Sequence, residues 1–239
     1  MRRFYLDNSA KIGDQIKIEG DQFFHMNKVL RIKSGEKIVV CFDDGNDYIC
    51  EICSSTKEFA FAQILEIKQT DRESHSNVTL FQALPKGDKL ELIVQKITEL
   101  GLKKLVPFKS NFCEKKILDV RVDRLKKIAI ESAKQCGRSE VLKIENPIEI
   151  NDLKSKLKDY DCVILANETE RQESLDFGLQ KFNNIAIIVG SEGGFSKEEI
   201  EMMTGAGAKS ITLGKRILRC ETAAIALPAI IMFLLGELK

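Results

Sequence analysis

A chain of 239 residues with 44% hydrophobic side chains holds enough apolar material to fold on its own, as one large domain or as a small and a medium one. Seven cysteines, an odd number at irregular spacing, exclude a disulfide framework and point to free thiols in a reducing cytosol. The start Met1-Arg2-Arg3-Phe4-Tyr5 has no apolar targeting core, the longest apolar run falls short of the roughly 20 residues that span a bilayer, and a net charge of +1 argues against a generic nucleic-acid binder.

Residues 14 to 67 alternate as strands do. Gln15 to Ile18, Lys37 to Phe42, Tyr48 to Ile52 and Phe59 to Ile64 each fit the pattern, and Asp43-Asp44-Gly45-Asn46 reads as a hairpin turn between the second and the third. His25 to Arg31 is expected as a short helix beside them. The pattern predicts a small β-barrel, an architecture that serves both as an RNA-binding module and as an inert appendage. Cys50 and Cys53 form a lone Cys-x-x-Cys with no second pair, so both are expected to pack as small apolar residues rather than to hold zinc, which needs four ligands.

Lys68 to Asn77 is polar and free of aliphatic residues, which marks a boundary between residues 1–70 and 71–239. Beyond it, Val78 to Ala83 reads as a strand. Asp88 to Leu100 follows as an amphipathic helix with Leu90, Ile93, Val94, Ile97 and Leu100 on one face and Gly101 as its cap. A second helix is expected from Val122 to Cys136, closed by Gly137 and followed by Arg138. Residues 71–160 carry 19 basic and 14 acidic side chains, a surplus that a solvated surface explains as well as an RNA-facing one. Tyr160 to Ala166 is a third apolar run, ending at Asn167-Glu168.

Ile185 to Arg219 is the stretch around which the second region is organised. Ile185 to Val189 reads as a strand buried on both faces of a parallel sheet. Gly190-Ser191-Glu192-Gly193-Gly194 breaks it, and Ser196 with Glu199 forms a capping box that starts a helix ended by Gly205 and Gly207. Ser210 to Leu213 is a second short strand, stopped by Gly214, and a helix begins near Glu221. Glu221 to Leu235 is apolar nearly all round and is expected to be covered on every side, with Pro228 costing about 3 kcal/mol or forcing a kink. In open parallel sheets the crevice outside the carboxyl ends of the strands is where ligands bind, so these strand ends are the candidate site. Neither a Walker loop nor a Gly-x-Gly-x-x-Gly fingerprint is present.

Taken together, Val189-Gly190-Ser191-Glu192-Gly193-Gly194-Phe195-Ser196 and Leu213-Gly214-Lys215-Arg216-Ile217-Leu218-Arg219-Cys220-Glu221-Thr222-Ala223 resemble the two cofactor loops of the small-subunit ribosomal RNA uridine-N3 methyltransferases, members of the SPOUT class. Ser191 stands where the family usually has Pro. The resemblance extends to Arg2-Arg3-Phe4-Tyr5, His25 with Val29-Leu30-Arg31, Asp44-Gly45, Lys86-Gly87-Asp88-Lys89, Gln95-Lys96, Glu99-Leu100-Gly101 and Gln135-Cys136-Gly137-Arg138, and so spans the chain.

The resemblance implies an α/β fold with a C-terminal SPOUT trefoil-knot domain on a mostly parallel sheet, preceded by a PUA-like β-barrel that helps to hold RNA. It implies S-adenosyl-L-methionine as cofactor, no metal and no membrane. The implied partners are 16S ribosomal RNA or the assembled small subunit, and a second copy packed through helices of the C-terminal domain, including the last one. Leu165, Ala166, Asn167, Gly190, Ser191, Glu192 and Gly194 are the implied cofactor contacts from the first two strand ends. Leu213, Gly214, Arg216, Ile217, Leu218, Arg219 and Thr222 are those from the second loop. Arg2, Arg3, Arg31, Lys86, Lys89, Gln135 and Arg138 are the implied RNA contacts.

Methyl transfer to uridine N3 requires alignment of donor and acceptor and loss of the N3 proton. Arg138 and Arg219 are the candidates for stabilising the developing anion, and Glu221 for accepting the proton, although Glu221 is equally a helix N-terminal charge favoured by the dipole. Two other readings stay open at the level of sequence: a non-catalytic RNA-binding protein with a degenerate pocket, and a SPOUT enzyme acting on another base or on transfer RNA.

Overall fold

The computed structural model describes residues 1–7, 10–114, 116–168 and 178–238. The chain falls into two units, Met1–Glu73 with Ala133–Val141, and Ser74–Ser132 with Leu142–Lys239.

In the first unit, β1 (Arg3–Tyr5), β2 (Gln15–Glu19), β3 (Lys37–Cys41), β4 (Asn46–Ser55) and β5 (Phe59–Gln69) form one sheet in the order β1-β3-β4-β5-β2. The β3-β4, β4-β5 and β5-β2 pairs are antiparallel, and β1 joins β3 in parallel. Strict alternation on β2, with Ile16 and Ile18 inward and Gln15, Lys17 and Glu19 outward, is what a curled sheet with one buried face requires. The core behind it includes Phe4, Ile18, Ile38, Val40, Ile52 and Ile64. The ladder does not close between β1 and β2 among the described residues, so the expected barrel is a half-barrel.

Two local expectations are corrected. The helix beside the sheet starts earlier than His25, as α1 (Gly20–Phe24) continued by a π turn over His25–Val29, because Phe23 and Met26, three apart, both reach the core. Arg31 lies beyond it at φ 53. Cys50 is fully buried but Cys53 is exposed, because alternation along β4 turns Cys50 and Ile52 inward and Cys53 to the opposite face.

In the second unit, β6 (Asn77–Ala83), β7 (Lys104–Lys109), β8 (Lys143–Ile144), β10 (Cys162–Ala166), β11 (Asn184–Val189) and β12 (Ala208–Ile211) lie in the order β12-β10-β11-β6-β7-β8, with β9 (Ile148–Glu149) also on β7. Every pair is parallel. The central strands are buried on both faces, which accounts for their unbroken apolar sequences. The helices are α2 (Lys89–Glu99), α3 (Val122–Cys136, its last turn counted with the first unit), α4 (Ile150–Lys156), α5 (Lys197–Gly205) and α6 (Cys220–Leu235). Strand β12 sits two residues earlier than Ser210–Leu213, since Ala208 and Ser210 pair with Val163 and Leu165 while Thr212 and Leu213 turn away from the ladder.

Helix α6 runs through Pro228 and buries Ala224, Leu227, Pro228, Ile231 and Met232. It is not covered on every side: Ile230, Phe233 and Leu234 are exposed in the single chain. No helix among the described residues is long and apolar enough to cross a membrane.

Candidate active site

Because the sheet is parallel, β10, β11 and β12 end on the same edge, with Leu165 beside Ile188 and Ala166 beside Ile211. Asn167 is tied to β12 by its N–H to Ile211 O at 2.8 Å and by Nδ2 to Ser210 Oγ at 3.1 Å. A cavity of about 370 Å³ opens at this edge. Its floor is Ala166 and Asn167 from the end of β10, and one wall is the turn after β11, Gly190, Ser191, Glu192 and Gly194. The other wall is Leu213 and the run Arg216-Ile217-Leu218-Arg219 that leads into α6.

The glycine turn is built for close approach. Gly194 has φ +65, and a methyl group there would meet Glu168 Oε1 at 3.1 Å; one at Gly190 would meet Gly194 Cα at 3.2 Å. Gly190 O accepts Nε2 of Gln82 at 3.1 Å from the end of β6. Downstream, Ser196 caps α5 in a full capping box with Glu199. The Glu199 carboxylate is buried, and beyond the box it accepts the N–H of Asn111 at 2.7 Å.

One cation joins the two walls. Lys89 Nζ lies 2.7 Å from Glu192 Oε1 and 3.2 Å from Glu221 Oε2. The Glu192 carboxylate also accepts the N–H of Lys86, at 3.2 and 3.3 Å, and the Cys220 thiol donates to Glu221 at 3.2 Å. Hydrogen bonds to Glu192 and then Glu221 raise the Lys89 ammonium above its ordinary range. Burial pushes the Glu221 carboxyl up, but its own backbone N–H, Cys220 and Lys89 outweigh that and hold it below the usual carboxylate range. A carboxylate held in its ionised form this way is a weakened proton acceptor. Burial, Glu221 and the nearby Glu192 charge push the Cys220 thiol up to about 12.

Of the residues singled out in the sequence for a cofactor, the cavity gathers all but three. Leu165 is buried within β10, Gly214 stands at φ +107 in the loop without lining the cavity, and Thr222 is exposed on α6, where Ala223 takes the lining position. Arg219 lines the cavity as the residue preceding α6. Lys89, singled out as an RNA contact, is a lining residue instead. Lys86 is exposed with Nζ 2.6 Å from Glu114, and Arg2, Arg31 and Gln135 are exposed in the first unit and on α3.

Arg3 and Arg138 are placed otherwise. Arg3 meets both Asp47 oxygens at 2.6 Å and is nearly buried, so its guanidinium is committed inside the first unit. Arg138 is 3% exposed, with Nε 3.0 Å from Glu73. Glu73 also accepts the N–H groups of Ser139 and Glu140, and Tyr5 donates to Arg138 O at 2.5 Å. Both arginines are structural ion pairs here rather than exposed RNA contacts.

Sequence reasoning passed over Gln82 and the Ser110–Cys113 turn, and named Glu168 and Phe195 only as parts of the segments after β10 and β11 without giving them a role. Gln82 carried a signal as a polar residue inside the apolar run Val78–Ala83. No group of His, Cys, Asp and Glu side chains suited to a metal occurs among the described residues.

Residues 72–232 match the family model described as an RNA methyltransferase domain, and residues 18–65 that of an RNA methyltransferase PUA domain. The ribosomal RNA small subunit methyltransferase E of Bacillus subtilis is 32% identical over 245 residues, covering 96% of both chains. That of Rickettsia conorii is 31% identical, over 93% of this chain and 91% of its own. Among solved structures, the ribosomal RNA small subunit methyltransferase E of Neisseria gonorrhoeae bound to S-adenosyl methionine is similar with a TM-score of 0.88 at 30% identity, over 98% of each chain. With both domain matches in place and identity above 30% across nearly the full length, the chain belongs to the ribosomal RNA small subunit methyltransferase E family.

Proposed function

We propose that this protein transfers a methyl group from S-adenosyl-L-methionine to N3 of a uridine in 16S ribosomal RNA. The observation that carries the reading is the cavity where β10, β11 and β12 end, walled by two glycine-containing turns. Its volume falls in the range of small-molecule sites. The donor fits its lining: glycines at 190 and 194 keep that wall free of side chains, and Leu213 and Leu218 offer apolar surface to a ring.

When bound, S-adenosyl-L-methionine supplies the methyl group on a positively charged sulfur. The chain's own tasks are to hold the donor, to admit uracil in line with it and to manage the N3 proton. Uracil N3 lies between two carbonyls, so when its proton is lost to solvent water the charge left behind spreads onto their oxygens. Arg219, exposed at the cavity wall, is the group we assign to stabilise that charge. Glu221 serves mainly to hold Lys89 at the start of α6, where its negative charge also suits the helix dipole.

We assign residues 1–70 to holding RNA and 71–239 to methyl transfer, and read the C-terminal segment as the threaded part of the trefoil knot that SPOUT resemblance implies. The uncovered apolar side chains of α6, Ile230, Phe233 and Leu234, support a homodimer through this helix. The protein acts in the cytoplasm, on 16S RNA or the small subunit. Calorimetric titration with S-adenosylmethionine, paired with turnover of Arg219→Ala, tests the reading. Binding by wild type and slow turnover by the variant are expected, whereas wild-type turnover in the variant contradicts the role given to Arg219, and absence of wild-type binding contradicts the cofactor.

A further inference from the structure

The turn that follows β7 carries an aromatic ring that the proposed chemistry has not used. Phe112 is 51% exposed, yet its backbone is firmly held. The Cys113 N–H bonds Ser110 O at 3.1 Å, and the Ser110 N–H meets Cys113 Sγ at 3.4 Å. Asn111 is fastened to the α5 capping box through its N–H to Glu199 Oε1 at 2.7 Å and Nδ2 to Ser196 Oγ at 3.4 Å. Beside this turn the rings of Phe108 and Phe195 are parallel to within 3°, with centroids 6.2 Å apart. Phe112 itself rests on the cavity's glycine turn, so closely that a methyl group at Gly193 would come within 2.7 Å of its Cβ.

A buried carboxylate, a capping box and a glycine thus fix the root of a side chain whose ring faces solvent. The charges around it are of both signs: Lys86, whose N–H meets Glu192 and whose Nζ meets Glu114, with Lys109, Glu114 and Lys116 flanking the turn in sequence. A single rigid aromatic face set among charged groups beside the cavity suits a nucleobase better than an apolar protein surface, because the ring takes the base while the polar surroundings stay solvated.

We infer that Phe112 is a stacking platform for a base of the RNA brought to the cavity. The inference rests on the methyltransferase reading above and adds a substrate contact to it. A uracil whose N3 is to be reached inside a confined site must first leave its own stack, and an aromatic face beside the cavity replaces part of what is lost.

The chain contains no tryptophan, so Phe112→Trp introduces a single fluorophore at this position. Titration with single-stranded oligouridylate is expected to quench it saturably, with weakening as salt rises; no quenching at concentrations that saturate RNA binding overturns the inference. In methylation of small-subunit RNA, Phe112→Ala and Phe112→Leu are expected to lower kcat/KM by roughly ten- to a hundredfold, with S-adenosylmethionine affinity retained, while Phe112→Trp recovers most of the rate. Wild-type kcat/KM in both the Ala and Leu variants overturns the inference and leaves the methyltransferase reading standing. If wild type itself transfers no methyl group, that reading fails and the tryptophan titration alone decides the stacking. Loss of a dimer by Phe112→Ala in sedimentation, together with an unquenched tryptophan, assigns the ring to a protein contact and also overturns the inference.

Discussion

Lys89 Nζ stands 2.7 Å from Glu192 Oε1, so a residue at the start of α2 fixes the glycine turn that follows β11, more than a hundred positions later in the chain. The same ammonium reaches Glu221 at 3.2 Å, and one side chain therefore ties both walls of the cavity. All three groups are partly exposed, which limits what the cluster adds to overall stability. Lys89→Met is expected to leave the thermal midpoint nearly unchanged and to weaken S-adenosylmethionine binding several-fold, most visibly at low salt. Calorimetry at two ionic strengths checks this; unchanged affinity at both contradicts the role given to Lys89.

Gly193 has no room for a side chain, since a Cβ there would lie 2.7 Å from Phe112 Cβ. Gly193→Ala is expected to destabilise the protein by about 1–3 kcal/mol. Because the clash is with one side chain, the cost should shrink in a Phe112→Gly background, and urea unfolding of the four proteins of that cycle measures it. Equal cost in both backgrounds would mean the strain lies elsewhere.

Asp47 gives the first unit a defined acid limb. Burial pushes its carboxyl up, but the Arg3 guanidinium, the Ser139 hydroxyl and Arg72 outweigh this and hold it below the usual carboxylate range. A lowered folded-state pKa contributes stability that is complete above the unfolded value near 4 and is lost as pH falls through the folded one. The thermal midpoint should therefore drop below about pH 4. Asp47→Asn is expected to flatten that limb and, by leaving Arg3 without its partner, to cost about 3–5 kcal/mol at neutral pH. A pH series of melting curves for both proteins checks the sign.

The cysteines should separate by reactivity. Burial pushes Cys50 up to about 12 and Cys41 up to about 11, and Cys220 stands at about 12 beside Glu221. Cys53 is exposed. Iodoacetamide at pH 8, followed by peptide mass spectrometry, should label Cys53 in the native protein and the three buried thiols only after unfolding. Rapid native labelling of Cys220 would contradict its described surroundings.

Much of this arrangement was legible in the sequence because it depends on local signals. The apolar run Ile185–Val189, the capping box Ser196/Glu199 and the cap at Gly101 each announce an element through its own residues, and β11, α5 and α2 fall where those signals put them. The cavity followed from strand ends and glycines by the same logic. What was not legible depends on partners distant in the chain. Nothing near Arg3 or Arg138 tells that Asp47 and Glu73 bury them, or that residues 133–141 pack with the first unit. The full apolar circumference of α6 reads as complete burial, whereas a single chain covers only one side of it.

The central claim is the position of the methyl group, and nucleoside analysis tests it most directly. Small-subunit RNA methylated by the purified protein with isotopically labelled S-adenosylmethionine would be digested to nucleosides and separated against standards by mass spectrometry. The account predicts label in 3-methyluridine and in no other nucleoside; label in a different methylated nucleoside, or none in RNA from a preparation that binds the cofactor, would contradict it.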